Sequence, residues 1–245
     1  MKKRKILYVI AIIVLLIPVL LVYFFIYGDP ITKMKSKLML TDYLAETYPD
    51  DEFYISKATY DPEFSNFLYD VVIKDDPSGK EYQFEVPGLF SEYELHDGIF
   101  YANLDVELGN IFENEAIEEI KSDLKDIAPE IRELEVDIYV LKGKYDTDQT
   151  WSKDLDMDKP MFIQMIIDGE GLSKQEVFEV TQAIQKKLND EGYDYEKVAV
   201  NVYVPFKNDW LDEWIVKYMV DFDPKTMLTE TDIEDHNTDM FEEQT

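Results

Sequence analysis

The chain has 245 residues, with 24 basic and 53 acidic side chains, a net charge of −29 and no cysteine. These counts exclude a disulfide framework, a thiol nucleophile, cysteine-ligated zinc and a lipidated-cysteine anchor; the two histidines, His96 and His236, exclude a histidine-rich metal site. Two arginines, Arg4 and Arg132, in so acidic a chain argue against nucleic acid as a partner, because phosphate contacts need clustered cations, while a 46% hydrophobic content is ample for folded cores.

The N-terminus reads MKKRK, and the 22 residues of Ile6–Tyr27 follow without a charge. As a helix they span about 33 Å, enough for a hydrocarbon core of about 30 Å. Pro18 is tolerated inside such a helix, and Tyr23, Phe24, Phe25 and Tyr27 fit an interfacial aromatic belt. A cleaved signal peptide would have a shorter apolar stretch and a small-residue cleavage site, so the segment reads as a membrane anchor. Lys2, Lys3, Arg4 and Lys5 outnumber Lys33, Lys35 and Lys37, which favours a cytoplasmic N-terminus and an extracytoplasmic remainder. The acidic excess reads first as a solvated, repulsive surface.

Beyond the anchor, Gly28 is placed to end one helix, Asp29 to cap the next and Pro30 to occupy its first turn. Met34, Leu38, Leu44, Ala45 and Tyr48 suggest the buried face of that helix, and Pro49 its end. Strand-like stretches follow near Glu52–Tyr60, Phe67–Lys74 and Glu81–Val86, and the alternation across Ile99–Leu108 predicts a fourth. A helix through Ile117, Ile120, Leu124 and Ile127 is expected to end at Pro129. Leu134–Val140 alternates as a half-buried strand, and Met161–Ile167 reads as a strand buried on both faces. Ser173 and Glu176 form a capping box, with Leu172 and Val177 as its staple and Gly192 as the helix stop. Val198–Val204 and Trp214–Phe222 alternate as the last two strands.

The predicted fold class is therefore α+β: an N-terminal transmembrane helix followed by helix-plus-antiparallel-sheet units, αβββ(β) then αββαββ, without βαβ crossovers. The organisation is a basic cytoplasmic tail (1–5), an anchor (6–27), a first α+β domain (28–108), a second (109–223) and an acidic disordered tail (224–245). Residues 29–223 carry their own apolar faces and are expected to fold without the anchor.

The junction Gly28-Asp29-Pro30, followed by Leu44-Ala45-Glu46 and Tyr48-Pro49, resembles the start of the YfjL-like family. Those are small single-span bacterial proteins with a short basic N-terminus and an α+β exterior domain. The resemblance implies an extracytoplasmic protein and carries over no functional residues.

Motifs for chemistry are absent. There is no phosphate-binding glycine loop and no nucleophile elbow; His96 reads as a turn residue and His236 as part of the tail. Paired carboxylates could serve a hydrolase, but among 53 acidic residues such pairs arise by chance. Asp154-Leu155-Asp156-Met157-Asp158 begins like a calcium loop, yet Lys159 replaces the turn glycine and Met165 the bidentate glutamate. The Asp146–Asp158 segment, with five aspartates and one lysine, is expected to be extended and mobile. It lies in a long connector, Gly143–Pro160, whose Trp151 is either a latch on the domain or an exposed contact. Trp210 and Trp214 read as strand packing or as an aromatic binding patch.

The sequence names no catalytic, cofactor-binding or metal-binding residue and no cofactor. Its partners are the lipid bilayer, through residues 6–27, and an envelope protein. The reading is a membrane-anchored extracytoplasmic non-catalytic interaction module; the alternative is a cell-envelope hydrolase using carboxylates, with or without a divalent cation.

Overall fold

The computed structural model describes residues 2–88, 91, 94–128, 131–207 and 212–236, and the chain divides into two units, Met1–Asn103 and Leu104–Thr245.

The first unit begins with α1, Lys2–Tyr27, long and apolar enough to cross a membrane. Gly28 turns the chain at φ +70, where a side chain would be strained and would strike the Phe67 ring 2.7 Å away. Asp29 then caps α2, Pro30–Thr47: its Oδ1 accepts from the amides of Ile31 (3.0 Å) and Thr32 (2.9 Å), and Pro30 takes the first helical position.

The buried stripe of α2 is Thr32, Ser36, Leu40 and Leu44; Met34 and Leu38 are 61% and 56% exposed. The expected face is thus corrected, and hydrogen bonding explains why polar residues can lie inside. Ser36 Oγ and Tyr69 Oη share a bond of 2.9 Å, and Ser36 also donates to the Lys33 carbonyl.

An antiparallel sheet follows. Its centre is β3, Asn66–Ile73, flanked on one side by β4, Glu81–Pro87, and on the other by β1, Phe53–Ile55, and β2, Thr59–Asp61. Phe67, Tyr69, Val71, Tyr82, Phe84 and Val86 alternate inward to meet Leu40, Leu44 and Ile99.

The strand expected at Ile99–Leu108 is helical instead. Asp97 accepts from the amides of Ile99 (2.8 Å) and Phe100 (3.0 Å) to cap α3, Gly98–Ala102. Asp105 accepts from Leu108 (3.2 Å) to open α4, Val106–Leu124. Two aspartate caps eight residues apart outweigh the alternation, and they move the boundary between the units from 108 to 103.

The second unit is a five-stranded sheet in the order β5-β6-β7-β8-β9. Its strands are β5 Ile131–Asp137, β6 Met161–Asp168, β7 Tyr195–Lys207, β8 Asp212–Phe222 and β9 Glu234–Asp235. Between β6 and β7 runs α5, Lys174–Glu191, with the Ser173/Glu176 capping box and the left-handed Gly192 (φ +78) that the sequence announces. The β6–β7 pair is parallel, so this connection is a βαβ crossover and the sheet is mixed rather than antiparallel throughout. An 18-residue helix returns the chain to the start of β6, which a hairpin could not do. The α+β class stands.

Helices α4 and α5 bury Phe112, Ile120, Leu124, Val177, Ile184 and Leu188 against Leu134, Val136, Ile163, Met165, Val200 and Val202. The predicted end of α4 at Pro129 lies outside the described residues, and helical structure stops at Leu124.

Residues 224–236, expected to be disordered, are ordered. Leu228 and Ile233 are buried (7% and 1% exposed), a single 3-10 turn forms at Glu230–Asp232, and β9 pairs with Tyr218 and Met219 of β8. Two apolar side chains in an acidic stretch suffice to pin it, each worth about 1.5–3 kcal/mol when buried, against the entropy of ordering the segment. Ending the chain at 223 is therefore expected to cost the second domain about 1–2 kcal/mol relative to ending it at 236, read as a lower urea midpoint with unchanged cooperativity.

Candidate functional site

The long connector comes first. Trp151 is half-buried: its ring lies 6.2 Å from that of Phe112, its Nε1–H donates to Glu119 (2.9 Å), and its amide donates to Glu115 (2.6 Å). Lys153 pairs with Glu191 of α5 (3.0 Å) and Glu119 of α4 (3.6 Å), and its ammonium sits 4.9 Å from the centre of the Tyr193 ring. Hydrogen bonds and charge from Lys187 and Lys153 hold the Glu191 carboxyl down to about 2. Lys144 pairs with Asp158 at 3.0 Å, and the Tyr145 hydroxyl donates to the Asp156 carbonyl at 2.7 Å.

Trp151 is thus a latch, and the segment expected to be extended and mobile is strapped to α4 and α5. Aspartate repulsion loses to one aromatic anchor and two lysines reaching carboxylates outside the loop or at its end. Among the described residues no group of three acidic or histidine side chains is placed to hold a metal ion. With Asp158 already paired, calcium titration in physiological salt is expected to show binding no tighter than millimolar. A micromolar, stoichiometric site lost on Asp154→Ala would contradict this.

Two carboxyls nearby are perturbed. Burial pushes Glu113 up, opposed by the Ile138 amide that donates to it (3.2 Å) and reinforced by the charge of Asp137. Asp137 is exposed at the end of its strand yet partly desolvated by its surroundings, and that desolvation, then the charge of Glu135, pushes it up. His96 is exposed and stacked on Tyr101 at 4.2 Å, while His236 lies beside Glu234; among the described residues neither meets a nucleophile.

The sheet of the second unit offers the broadest surface. Met161, Ile163, Met165 and Ile167 of β6 are buried, but Phe162, Gln164 and Ile166 are only partly so, which corrects the expectation of a strand buried on both sides. Both helices pack on one face, and the other carries none of their buried residues.

Register assembles that second face. Ile166 pairs across to Asn201, and Asn201 to Met219; Gln164 pairs with Ala199, and Ala199 with Asp221. Tyr203 and Trp214 fall on the same side, with Trp214 opposite Pro205. Glu133, Glu135 and Asp137 of β5 are exposed along one edge. Arg132 places its guanidinium 3.6 Å from the centre of the Trp214 ring. The result is an apolar and amide centre bordered by carboxylates.

Of the tryptophans the sequence singles out, Trp151 serves the fold, Trp214 joins this face under Arg132, and Trp210 lies outside the described residues. The face itself escaped sequence reasoning, since Phe162 and Ile166 alternate with buried residues as they would in a strand covered on both sides. The exposed residues of β7, Lys197 among them, were the available signal.

A sequence profile described as YfjL-like, N-terminal domain, matches residues 3–98, and one described as YfjL-like C-terminal domain matches 115–234. The uncharacterized protein YfjL of Bacillus subtilis (strain 168) is 26% identical over 216 residues, covering 88% of this chain and 91% of that protein. A crystal structure of a DUF5037 family protein from Ruminococcus gnavus aligns over 69% of this chain and 74% of its own, at 19% identity and a TM-score of 0.22, a likeness too slight to carry an argument.

Proposed function

The chain belongs to the YfjL-like family, and we propose that it works as a membrane-anchored, extracytoplasmic, non-catalytic interaction module whose binding surface is the uncovered face of the second domain's sheet. Helix α1 is the anchor, and the four basic residues at its start favour a cytoplasmic N-terminus.

The observation that carries the reading is the open face itself. Phe162, Ile166, Tyr203, Trp214 and Met219 remain accessible where a third layer would ordinarily cover them. Glu133, Glu135 and Asp137 on its border select an envelope protein presenting apolar side chains among lysines or arginines. A second copy of this chain, at net charge −29, would set carboxylates against carboxylates.

Photocrosslinking in intact cells tests this. A photoreactive residue at Ile166 is expected to yield a discrete adduct that Asn201→Arg abolishes, while the same residue at Lys174 on α5 yields none. Equal labelling at both positions would reject the assignment. The raised Glu113 and Asp137 favour, as a second reading, a carboxylate hydrolase; that reading expects Glu113→Gln to abolish function with the crosslink intact, and the module expects function to persist.

A further inference from the structure

The exposed residues of α2 form a pattern of their own. Ile31, Met34 and Leu38 are 64%, 61% and 56% exposed, spaced along one side of a helix whose opposite stripe is buried. Between Pro30 and Thr41 there are three lysines and no carboxylate, in a chain where acidic residues outnumber basic ones 53 to 24.

Six lysines elsewhere pair with carboxylates: Lys74 with Glu52, Lys144 with Asp158, Lys153 and Lys187 with Glu191, Lys186 with Asp190, Lys197 with Asp221. Lys33 donates instead to the Ala58 carbonyl (2.9 Å), and Lys35, Lys37 and Lys57 have no ion pair among the described residues. Along residues 30–41 positive charge is therefore concentrated, bounded in sequence by Asp29, which caps the helix, and Asp42.

The location follows from the fold. Lys33 and Lys57 line one cleft with Tyr23, Ile26 and Tyr27, the aromatic end of α1. A second cleft, of about 460 Å³, joins Lys33, Lys37 and Lys57 to Met34 and Leu38. Only Gly28 and Asp29 separate the two helices.

We propose that the first half of α2 is an interfacial helix, holding Ile31, Met34 and Leu38 at the acyl boundary and Lys33, Lys35, Lys37 and Lys57 against anionic lipid headgroups. The inference rests on the membrane-anchored reading of α1. Apolar residues on one side of a helix with lysines beside them bind a bilayer through both contributions, and only the charged one distinguishes anionic from zwitterionic lipid. The carboxylates of the remaining surface repel the same leaflet, so the lysine-bearing side is the one that approaches it.

The cysteine-free chain permits single-site labelling of the intact protein. An environment-sensitive fluorophore is placed at Leu16→Cys, Met34→Cys or Ala45→Cys, in nanodiscs of phosphatidylglycerol or of phosphatidylcholine, with spin-labelled lipid as quencher. In phosphatidylglycerol, position 34 is expected to be quenched and water-shielded, and position 45, exposed in the second half of the helix, to stay in water. Lys35→Gln with Lys37→Gln is expected to shift the docked ratio at position 34 about 25-fold toward solvent, about fivefold per lysine.

Water exposure at 34 equal to that at 45, shielding at 34 without lipid quenching, or equal docking in both lipids each overturns the inference while quenching at 16 leaves the anchor standing. Water exposure at 16 removes the anchor reading and the inference with it.

Discussion

Asp97→Ala is expected to destabilise the first domain by about 4 kcal/mol, read as lost hydrogen-exchange protection of β3 and β4 in the full chain. Asp97 is 1% exposed and accepts four hydrogen bonds: from the amides of Ile99 and Phe100, and from the hydroxyls of Tyr43 (2.9 Å) and Tyr48 (2.6 Å). Alanine leaves all four donors without an acceptor, whereas Asp97→Asn keeps one oxygen and is expected to cost about half as much.

The same cluster sets an alkaline limit. Burial, then the hydrogen bond to Asp97 and its charge, push the Tyr43 phenol up to about 12, and the same causes raise Tyr48. The folded domain thus holds these protons more tightly than the unfolded chain, whose phenols titrate near about 10. The resulting stabilisation is complete below pH 10 and is lost as pH climbs through the folded values. Loss of β3 and β4 protection should therefore begin above about pH 10 and track phenolate absorbance; protection that is flat to pH 12 would contradict it.

Trp151→Ala should release the connector between β5 and β6 and cost the second domain about 3 kcal/mol, from the packing on Phe112 and the bond to Glu119 together. Trp151→Phe keeps most of the packing and should cost about 1 kcal/mol. Limited trypsin digestion provides the readout. Cleavage at Lys142, Lys144 and Lys153, slow in the parent, should accelerate in the alanine variant and leave both flanking strands intact. An unchanged rate would mean that Lys144 and Lys153 alone hold the segment.

What the sequence displayed best was local chemistry. Asp29-Pro30, Ser173 with Glu176, and Gly192 each satisfy a helix end within four residues, so they could be read without knowledge of the fold. The alternation of Val198, Val200 and Val202 was equally direct. Reading failed where distant partners decide. Ser36 is buried because Tyr69 lies across from it, and Met34 is exposed although it is apolar. The burial of Asp97 left no local trace, since Tyr43 and Tyr48, its other donors, lie about fifty positions away. The parallel β6–β7 pairing and the uncovered sheet face are properties of topology: a strand with apolar residues on both sides looks the same whether one layer covers it or two.

The Gly28-Asp29 joint has a mechanical consequence. A domain on a long flexible tether samples a hemisphere above the bilayer and can fish for partners at many heights. Here two residues separate two helices, one of them wedged against Phe67 and the other closing the cap of α2, so the link has almost no slack. Were α1 to span a bilayer as proposed, the first domain would turn and drift only as that helix does, and a pull on the domain would reach α1 as torque rather than being absorbed by uncoiling. Inserting a few glycines after Gly28 would convert a mast into a leash, changing reach without altering any contact surface.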